Sequence, residues 1–188
     1  MTGSVGTSYV FVGDRWIRAN LYDSAPVWLP LKLSGTTASL TWYDSWSLNV
    51  AAGTWAAQTA DTAHEGEAAA NTLAGGARLL ACSSCSGGRK AGWIGNGGTA
   101  QFNGVIVPTA GRYTLKVRYT NGDAADRYAD VSVNGAAARR MAFPPSGSGN
   151  SPATAVLTVD LRAGANTVKF SNASGWAPDL DKLAVPTP

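Results

Sequence analysis

Hydrophobic and polar residues alternate in short segments along the second part of the chain. In YTLKVRY (residues 113–119) the odd positions are Tyr, Leu, Val and Tyr, and the even positions are Thr, Lys and Arg. Because successive side chains of a strand point to opposite faces, this pattern predicts a strand with one buried face. Similar segments follow at short intervals, namely RYADVSVNG, TAVLTVDL, NTVKFSN and LDKLAV, after TAQFNGVIV.

Asn-Gly and Ala-Gly pairs end several of these segments, and such pairs are typical of the turns between antiparallel strands. The spacing of strands and turns favours two packed antiparallel sheets over parallel strands crossed by helices. We therefore predict an all-β fold, a jelly-roll β-sandwich, for residues 63–188.

The first 55 residues contain a separate group of strand-like runs. They read YVFVGDRW, VWLPLKLSG and ASLTWYDSWSLNV, with turn-forming residues between them. These runs predict one small N-terminal antiparallel sheet over residues 1–55. The small residues of AAQTADTA follow without periodicity, and they predict a linker over residues 56–62.

Composition and charge narrow the classes of partner. The chain has 188 residues, of which 45% are hydrophobic and 14% charged, so it can bury a core. Its net charge of +3 is spread along the chain rather than gathered into a basic tract, and we expect no nucleic-acid partner. No apolar run approaches the roughly 20 residues of a membrane span, and no signal peptide is visible at the N-terminus. We therefore expect no membrane partner.

Seven motifs occur in order across the second region, among them EGEAA, GWIGNGG, AGRYTLKVRYTNG, LRAGANTVKFSN and GWAPDLDKLAV. Together they resemble carbohydrate-binding module family 35, from about Ala63 to Val185. The resemblance implies a non-catalytic module that binds plant cell-wall polysaccharide and targets a linked glycoside hydrolase to it. It also implies an extracellular setting.

The first region carries a second resemblance. FVGDRW, DSAPVWLPLKLSG and LTWYDSW resemble the last blade of a glycoside hydrolase family 43 propeller, in particular the exo-β-1,3-galactanase group. This resemblance implies β-1,3-galactan or arabinogalactan side chains as the ligand. The alternative is that the chain is the C-terminal portion of a family 43 galactan hydrolase, inactive without the missing blades. A third reading is a sandwich that holds domains together and binds no sugar.

Catalysis by the chain itself is not expected. Glycoside hydrolysis needs two carboxyl groups set across the scissile bond in a formed cleft. The carboxylates Asp14, Asp23 and Asp44 all fall within one blade-like region, and three strands cannot build such a cleft.

Two glutamates stand one residue apart near the start of the predicted sandwich. On a strand, Glu65 and Glu67 would present their carboxylates on one side, which suits the oxygen-rich shell that calcium prefers. The family resemblance implies that Glu65, Glu67 and Asp181 hold a structural calcium that joins the first and last strands. The alternative is that these are solvated strand carboxylates.

Cys82 and Cys85 are the two cysteines of the chain. A structural zinc site needs four ligands, and two cysteines with one histidine cannot supply them. Thioredoxin-like redox chemistry needs a βαβ context that the pattern does not show. A local disulfide or two free thiols remain, and we favour the disulfide, which would stiffen the turn that follows.

Sugar recognition needs aromatic faces and planar polar groups on loops held by a rigid scaffold. Three polar loops supply them, namely GWIGNGG, YTNGDAADRYAD and SNASGWAPDLD. The family resemblance implies that the ligand lies at the second and third of these loops. Trp93 could instead be a core aromatic, Asn121 a turn residue, and Arg127 a partner of a nearby aspartate. The candidate carbohydrate-binding residues are Trp176, Asn121, Arg127, Asn172, Asp179 and Trp93.

Overall fold

The computed structural model describes residues 1–16, 25–43, 45–58 and 61–186. It divides the chain into two compact units. Unit 1 comprises Met1–Asp61 and the residues from Pro186 onward, and unit 2 comprises Thr62–Val185. Apart from one short 3-10 turn, Ser86–Gly88, the regular structure of the described residues is β-strand, which confirms the all-β fold class. Among these residues no helix is long and apolar enough to cross a membrane.

Unit 1 consists of a sheet and a hairpin. Its strands are β1 (Tyr9–Arg15), β2 (Ala25–Ser34), β3 (Thr37–Leu40), β4 (Trp46–Asn49) and β5 (Thr54–Ala57). β1, β2 and β3 form a three-stranded antiparallel sheet, whereas β4 and β5 pair with each other. The predicted single sheet is therefore two sheets, because the third predicted run divides into β3 and β4. Asp23 and Asp44 lie outside the described residues.

Unit 2 contains two antiparallel sheets. Its strands are β6 (Thr62–Glu65), β7 (Thr72–Ala74), β8 (Arg78–Ala81), β9 (Arg89–Gly92), β10 (Thr99–Val107), β11 (Gly111–Thr120), β12 (Arg127–Val133), β13 (Arg139–Phe143), β14 (Ala153–Leu161), β15 (Gly164–Ser171) and β16 (Asp179–Val185). One sheet has the order β13, β12, β15, β10, β7, and the other has β14, β11, β16, β9, β8 with β6 also paired to β16. The predicted sandwich is confirmed.

The core of unit 2 combines side chains from both sheets. In β11, Leu115 and Val117 are fully buried while the lysine between them is not, as the alternating pattern predicts. From the other sheet, Phe102 and Phe170 meet edge to face with ring centroids 5.9 Å apart. Burying a side chain of this size contributes about 1.5–3 kcal/mol. The sandwich is therefore a rigid support for its loops.

The boundary between the units falls between Asp61 and Thr62. β5 ends at Ala57 and β6 begins at Thr62, so strands enter both ends of the predicted linker. Residues 59 and 60 of that linker lie outside the described residues.

β16 carries one residue of each predicted site: Asp179 of the carbohydrate-binding set and Asp181 of the calcium set. It pairs with β11 on one side and with β6 and β9 on the other. Its pairing with β11 contains a bulge, because Lys182 pairs with Arg118 and Leu180 with Tyr119, which leaves Asp181 as the extra residue. A bulge redirects a side chain. Asp179 therefore opens the strand and Asp181 occupies the bulge.

Candidate functional site

Two loops of unit 2, one after β9 and one before β16, are joined by backbone hydrogen bonds. The N–H of Asn96 donates to the carbonyls of Asn172 and Gly175 at 2.9 and 3.2 Å. The N–H of Ala177 donates to the carbonyl of Ile94 at 2.8 Å. Because the Ile94 side chain is fully buried in the core, the joined loops are anchored to the sandwich.

This junction places two tryptophans side by side. The rings of Trp93 and Trp176 are perpendicular, with centroids 5.3 Å apart. Both remain partly exposed, at 45% and 42%. The guanidinium of Arg78 lies 4.4 Å from the centroid of the Trp93 ring and covers one face of it. Trp93 also has a φ of 58°, a strained conformation for a bulky residue that often marks functional sites.

An open pocket of about 270 Å³ adjoins this aromatic corner. The described residues that line it are Leu80, Trp93, Arg127, Trp176, Ala177 and Asp179. Its volume is at or below the small end of ligand sites, which span about 300–1,000 Å³. A pocket of this size suits a single sugar ring better than a long chain.

Arg127 is held by its neighbours. Its Nε and Nη2 donate to the carboxylate of Asp123 at 2.7 and 3.1 Å, and its Nη1 donates to the carbonyl of Ala177 at 3.3 Å. The hydrogen bond from Arg127 lowers the pKa of Asp123 below its usual value. The guanidinium is therefore fixed at the pocket wall.

Asp179 is held by a buried lysine. The Nζ of Lys90, a residue only 4% exposed, lies 2.8 Å from Asp179 Oδ2. The same Nζ donates to Thr120 Oγ1 at 2.9 Å and to the carbonyl of Gly149. A Cβ at position 92 would lie 2.9 Å from Asp179 Oδ1, so Gly92 leaves room for this carboxylate.

Asn121 and Asn172 are buried and do not line the pocket. The amide of Asn121 donates to the carbonyls of Ala125 and Phe143, both at 2.9 Å. The amide of Asn172 donates to the carbonyl of Tyr128 at 2.9 Å. Their side chains connect loops to strands, which differs from the direct ligand contact expected from the sequence.

The structure thus brings Trp93, Trp176, Arg127 and Asp179 together at one pocket. Sequence reasoning missed Leu80 and Lys90. Nothing in the local pattern marks them, because their roles come from contacts with residues distant in the chain. The ion pair of Arg127 with Asp123 agrees with the alternative reading of Arg127 as the partner of a nearby aspartate.

The predicted calcium ligands lie around the turn that begins at Ser86. The N–H of Ser86 donates to Asp181 Oδ1 at 2.9 Å, and its hydroxyl donates to Glu65 Oε1 at 2.8 Å. Arg118 Nε lies 2.8 Å from Asp181 Oδ2, in an ion pair without hydrogen-bond geometry. Burial raises the pKa of Asp181, and the charge of Arg118 opposes this rise.

Three carboxylate oxygens here are buried without a hydrogen-bond partner: Glu65 Oε2, Glu67 Oε2 and Asp181 Oδ2. Such oxygens are costly to bury, and a hard cation would satisfy them. In the described ranges, however, no group of three or more His, Cys, Asp or Glu residues is arranged to hold a metal ion. The donors fit calcium by chemistry, while their arrangement is not a closed ligand set.

Cys82 and Cys85 form the predicted disulfide. The N–H of Cys82 donates to the carbonyl of Gly88 at 2.9 Å, and the N–H of Cys85 donates to the carbonyl of Cys82 at 3.1 Å. The bond therefore closes the turn on which Ser86 meets the carboxylates.

Comparisons with known proteins show what this chain is similar to. A family model described as "CBM13-like: Alpha-galactosidase, CBM13 domain" matches residues 99–185, less than half of the chain. An exo-β-D-glucosaminidase from Amycolatopsis orientalis is 37% identical over 83 residues, which is 43% of this chain and 8% of that enzyme. The chain therefore spans a small fraction of this relative.

Two solved structures match larger parts of the chain. An exo-β-1,3-galactanase from Phanerochaete chrysosporium, with β-1,3-galactotriose, is 32% identical with a TM-score of 0.72. The match covers 97% of this chain and 42% of that one, so it includes unit 1 and confirms its resemblance to this group. A family 35 carbohydrate-binding module from Clostridium thermocellum is 38% identical, with a TM-score of 0.65. The match covers 67% of this chain and 98% of the module. The chain therefore belongs to carbohydrate-binding module family 35, with unit 2 as the module.

Proposed function

We propose that unit 2 binds galactose residues of β-1,3-galactan or of arabinogalactan side chains, and thereby targets a linked glycoside hydrolase to the plant cell wall. The observation that carries this proposal is the corner formed by Trp93 and Trp176 beside Arg127 and Asp179. A pyranose has an apolar C–H face that packs on an indole and hydroxyls that bond planar polar groups. The match to an exo-β-1,3-galactanase, which covers 97% of the chain, supports galactan as the polymer.

Each lining residue has a distinct role in this proposal. Trp176 is the platform for the sugar ring, since Arg78 already covers one face of Trp93. Asp179 accepts hydrogen bonds from sugar hydroxyls. Three of the five N–H donors of Arg127 are used within the protein, and the other two donate to the ligand. No step of catalysis is assigned to this site.

Asn121 and Asn172 act through the loops in this proposal. Asn121 joins the turn before β12 to β13, and Asn172 joins the Trp176 loop to β12. Their replacement would displace Arg127 and Trp176 rather than remove a contact with the sugar.

Binding can be tested by incubating the full chain with insoluble β-1,3-galactan and measuring both retention on the polymer and release of galactose. We expect retention without release. Trp176→Ala should weaken retention at least about tenfold, equivalent to about 1.4 kcal/mol. Trp28→Ala is the control, because this exposed tryptophan belongs to unit 1. Equal retention of wild type and Trp176→Ala would contradict the proposal. Failure to retain any plant polysaccharide would favour a sandwich that only holds domains together.

We also propose that Glu65, Glu67 and Asp181 hold a structural calcium. The support is the set of buried carboxylate oxygens without a hydrogen-bond partner, of which Asp181 Oδ2 is also in an ion pair with Arg118. A bound calcium ion would balance negative charge of these carboxylates and would be coordinated by the oxygens that lack a hydrogen bond. The three residues would thereby join β6 and the turn after it to β16.

Calcium binding can be measured as a change in melting temperature. The midpoint of wild type should rise on calcium titration, since a ligand that binds the folded state stabilises it. Asp181→Ala should show no rise relative to its own calcium-free midpoint, whereas Asp160→Ala, at an exposed pair with Arg112, should rise as wild type does. The absence of any rise in wild type would end this proposal.

A second candidate function is a portion of a larger family 43 galactan hydrolase, inactive alone. The specific observation is unit 1, whose strand β2 leaves Trp28 exposed and which lies within the region similar to the galactanase. Exposed aromatics of this kind often mark surfaces that another domain covers. Galactose release by the purified chain would contradict both this candidate and a purely binding role.

We place the protein outside the cell in this proposal. The disulfide between Cys82 and Cys85 supports an oxidising compartment, and the proposed polymer belongs to the plant cell wall, which lies outside the cell. A maleimide assay on protein isolated from the medium should find no reactive thiol before reduction.

A further inference from the structure

We propose that the pocket selects uncharged sugar residues over uronic acids. The charged residues among its described lining residues are Arg127 and Asp179, and each forms an ion pair with another residue of the protein. Their partners are Asp123 and Lys90, and neither of these two is among the described residues that line the pocket. The inference rests on the proposed function, since it requires that a sugar binds at this site.

Arg127 would be the natural partner for a ligand carboxylate, because its planar fork matches two carboxylate oxygens. That fork is already occupied. Nε and Nη2 bind the two oxygens of Asp123 at 2.7 and 3.1 Å. The remaining N–H groups can donate to a hydroxyl, yet a uronate would meet a guanidinium whose charge is balanced by Asp123.

Lys90 is equally committed. Its ammonium has three N–H donors, and three acceptors surround it: Asp179 Oδ2, Thr120 Oγ1 and the carbonyl of Gly149. Because the lysine is buried, its charge needs the nearby carboxylate of Asp179. The pair therefore presents one carboxylate to the pocket as a hydrogen-bond acceptor, with its charge compensated.

These two closed pairs make a uronic acid costly to bind. Its carboxylate would lose hydration without finding an unpaired cation at the pocket wall. It would also approach the carboxylate of Asp179. Galactose has a hydroxymethyl group where galacturonic acid has its carboxylate. It therefore loses no hydration of a charged group and has no carboxylate to repel Asp179. The selectivity thus comes from charge pairing rather than from pocket shape.

Arg78 is a further cation beside the aromatic corner, and it needs a separate test. Its guanidinium lies over the Trp93 ring, 4.4 Å from the centroid, and it is not among the lining residues. If Arg78 were a carboxylate receptor, its replacement would change the preference between neutral and acidic sugars. On this proposal Arg78→Gln leaves that preference unchanged.

The experiment is calorimetry on the full chain, at constant calcium, with methyl β-galactoside and with methyl β-galacturonide, which differ only at C6. Wild type should bind the neutral sugar at least about tenfold more tightly. Asp179→Asn unpairs Lys90, and Asp123→Asn unpairs Arg127, so each should reduce this ratio at least about fivefold. Because Asp123 also holds Arg127 in place, the readout for Asp123→Asn is the ratio of the two affinities and not the affinity for the neutral sugar alone.

Asp160→Asn is the matched control, since it removes the same charge from an exposed pair with Arg112 and should leave the ratio unchanged. A wild-type preference for the uronide overturns the inference alone, and so does an unchanged ratio in Asp123→Asn. An equal shift in Asp160→Asn would also overturn it, because the effect would then be one of net charge. If wild type binds neither sugar, the proposed function falls and the inference with it. Asp123 is exposed, so its variant tests the inference even if Asp179→Asn fails to fold.

Discussion

Units 1 and 2 are both built from antiparallel strands, but among the described residues far more strand positions are buried in unit 2 than in unit 1. In the described strands of unit 1, Leu29 and Pro30 are the buried apolar residues, while Trp28 beside them is exposed. In unit 2, most inward positions of β10, β11 and β15 are fully buried. A local pattern therefore predicts a strand, and packing against other elements decides how much of that strand is buried.

The largest expected difference between the units is the cost of shortening a leucine. Leu115 in β11 is fully buried, whereas Leu33 in β2 is 50% exposed. Leu115→Ala should lower the free energy of unfolding of unit 2 by about 2–5 kcal/mol, because it removes apolar contacts and leaves a cavity. Leu33→Ala should cost within about 0.5 kcal/mol. Urea denaturation of the full chain measures both, and equal costs would show that unit 1 has a core of its own.

A second difference concerns buried polar groups. The Asn166 amide is buried and donates to the carbonyls of Val105, Arg162 and Gly164 at 2.9–3.1 Å. Asn166→Ala should cost about 2–3 kcal/mol, because it leaves buried carbonyls without partners.

The matched change in unit 1 is Asn49→Ala. Asn49 Oδ1 accepts one exposed hydrogen bond from the N–H of Ala52 at 2.9 Å. Water can replace this bond, so the loss should be about 0.5–1 kcal/mol. Chemical denaturation compares the two variants, and a loss in Asn49→Ala as large as in Asn166→Ala would contradict the comparison.

Reduction of the disulfide should act on unit 2 alone, because both cysteines of the chain lie there. The bond joins residues three positions apart, and closing so short a loop contributes at most about 2 kcal/mol. Melting with and without a phosphine reductant should show a small decrease in the midpoint of unit 2. The Cys82→Ser/Cys85→Ser variant should melt as the reduced protein does and should not respond to reductant. A change in the transition of unit 1 would contradict an effect confined to unit 2.

The sequence predicted the sandwich because its pattern is local to each strand. β11 illustrates this, since the alternation in YTLKVRY matches its buried and exposed faces. The division of unit 1 into a sheet and a hairpin was not predicted, because it depends on which strands pair.

The candidate site was predicted in part. Trp93, Trp176, Arg127 and Asp179 meet because a loop junction between distant segments aligns them. Asn121 gave no signal of burial, since an Asn-Gly turn is usually exposed. Lys90 gave none either, because its three acceptors come from separate segments. Local patterns identify candidates, whereas charge pairing and burial follow from tertiary contacts.

The smallest expected effect concerns the ion pair between Arg127 and Asp123. This pair lies at the surface of unit 2 and is not part of its hydrophobic core. The pKa of Asp123 is lowered below 3.8 in the folded state, chiefly by the hydrogen bond from Arg127. The ion pair therefore contributes fully to the free energy of unfolding above the unfolded-state pKa of 3.8. This contribution is lost as the pH falls through the lowered pKa of the folded state. Because the side chain of Asp123 is 54% exposed, solvent screening limits this contribution to a few tenths of a kcal/mol. Melting from pH 6 to pH 2 should show a slightly steeper acid decline in wild type than in Asp123→Asn. An identical decline in the two proteins would mean that the pair orients Arg127 without stabilising the fold.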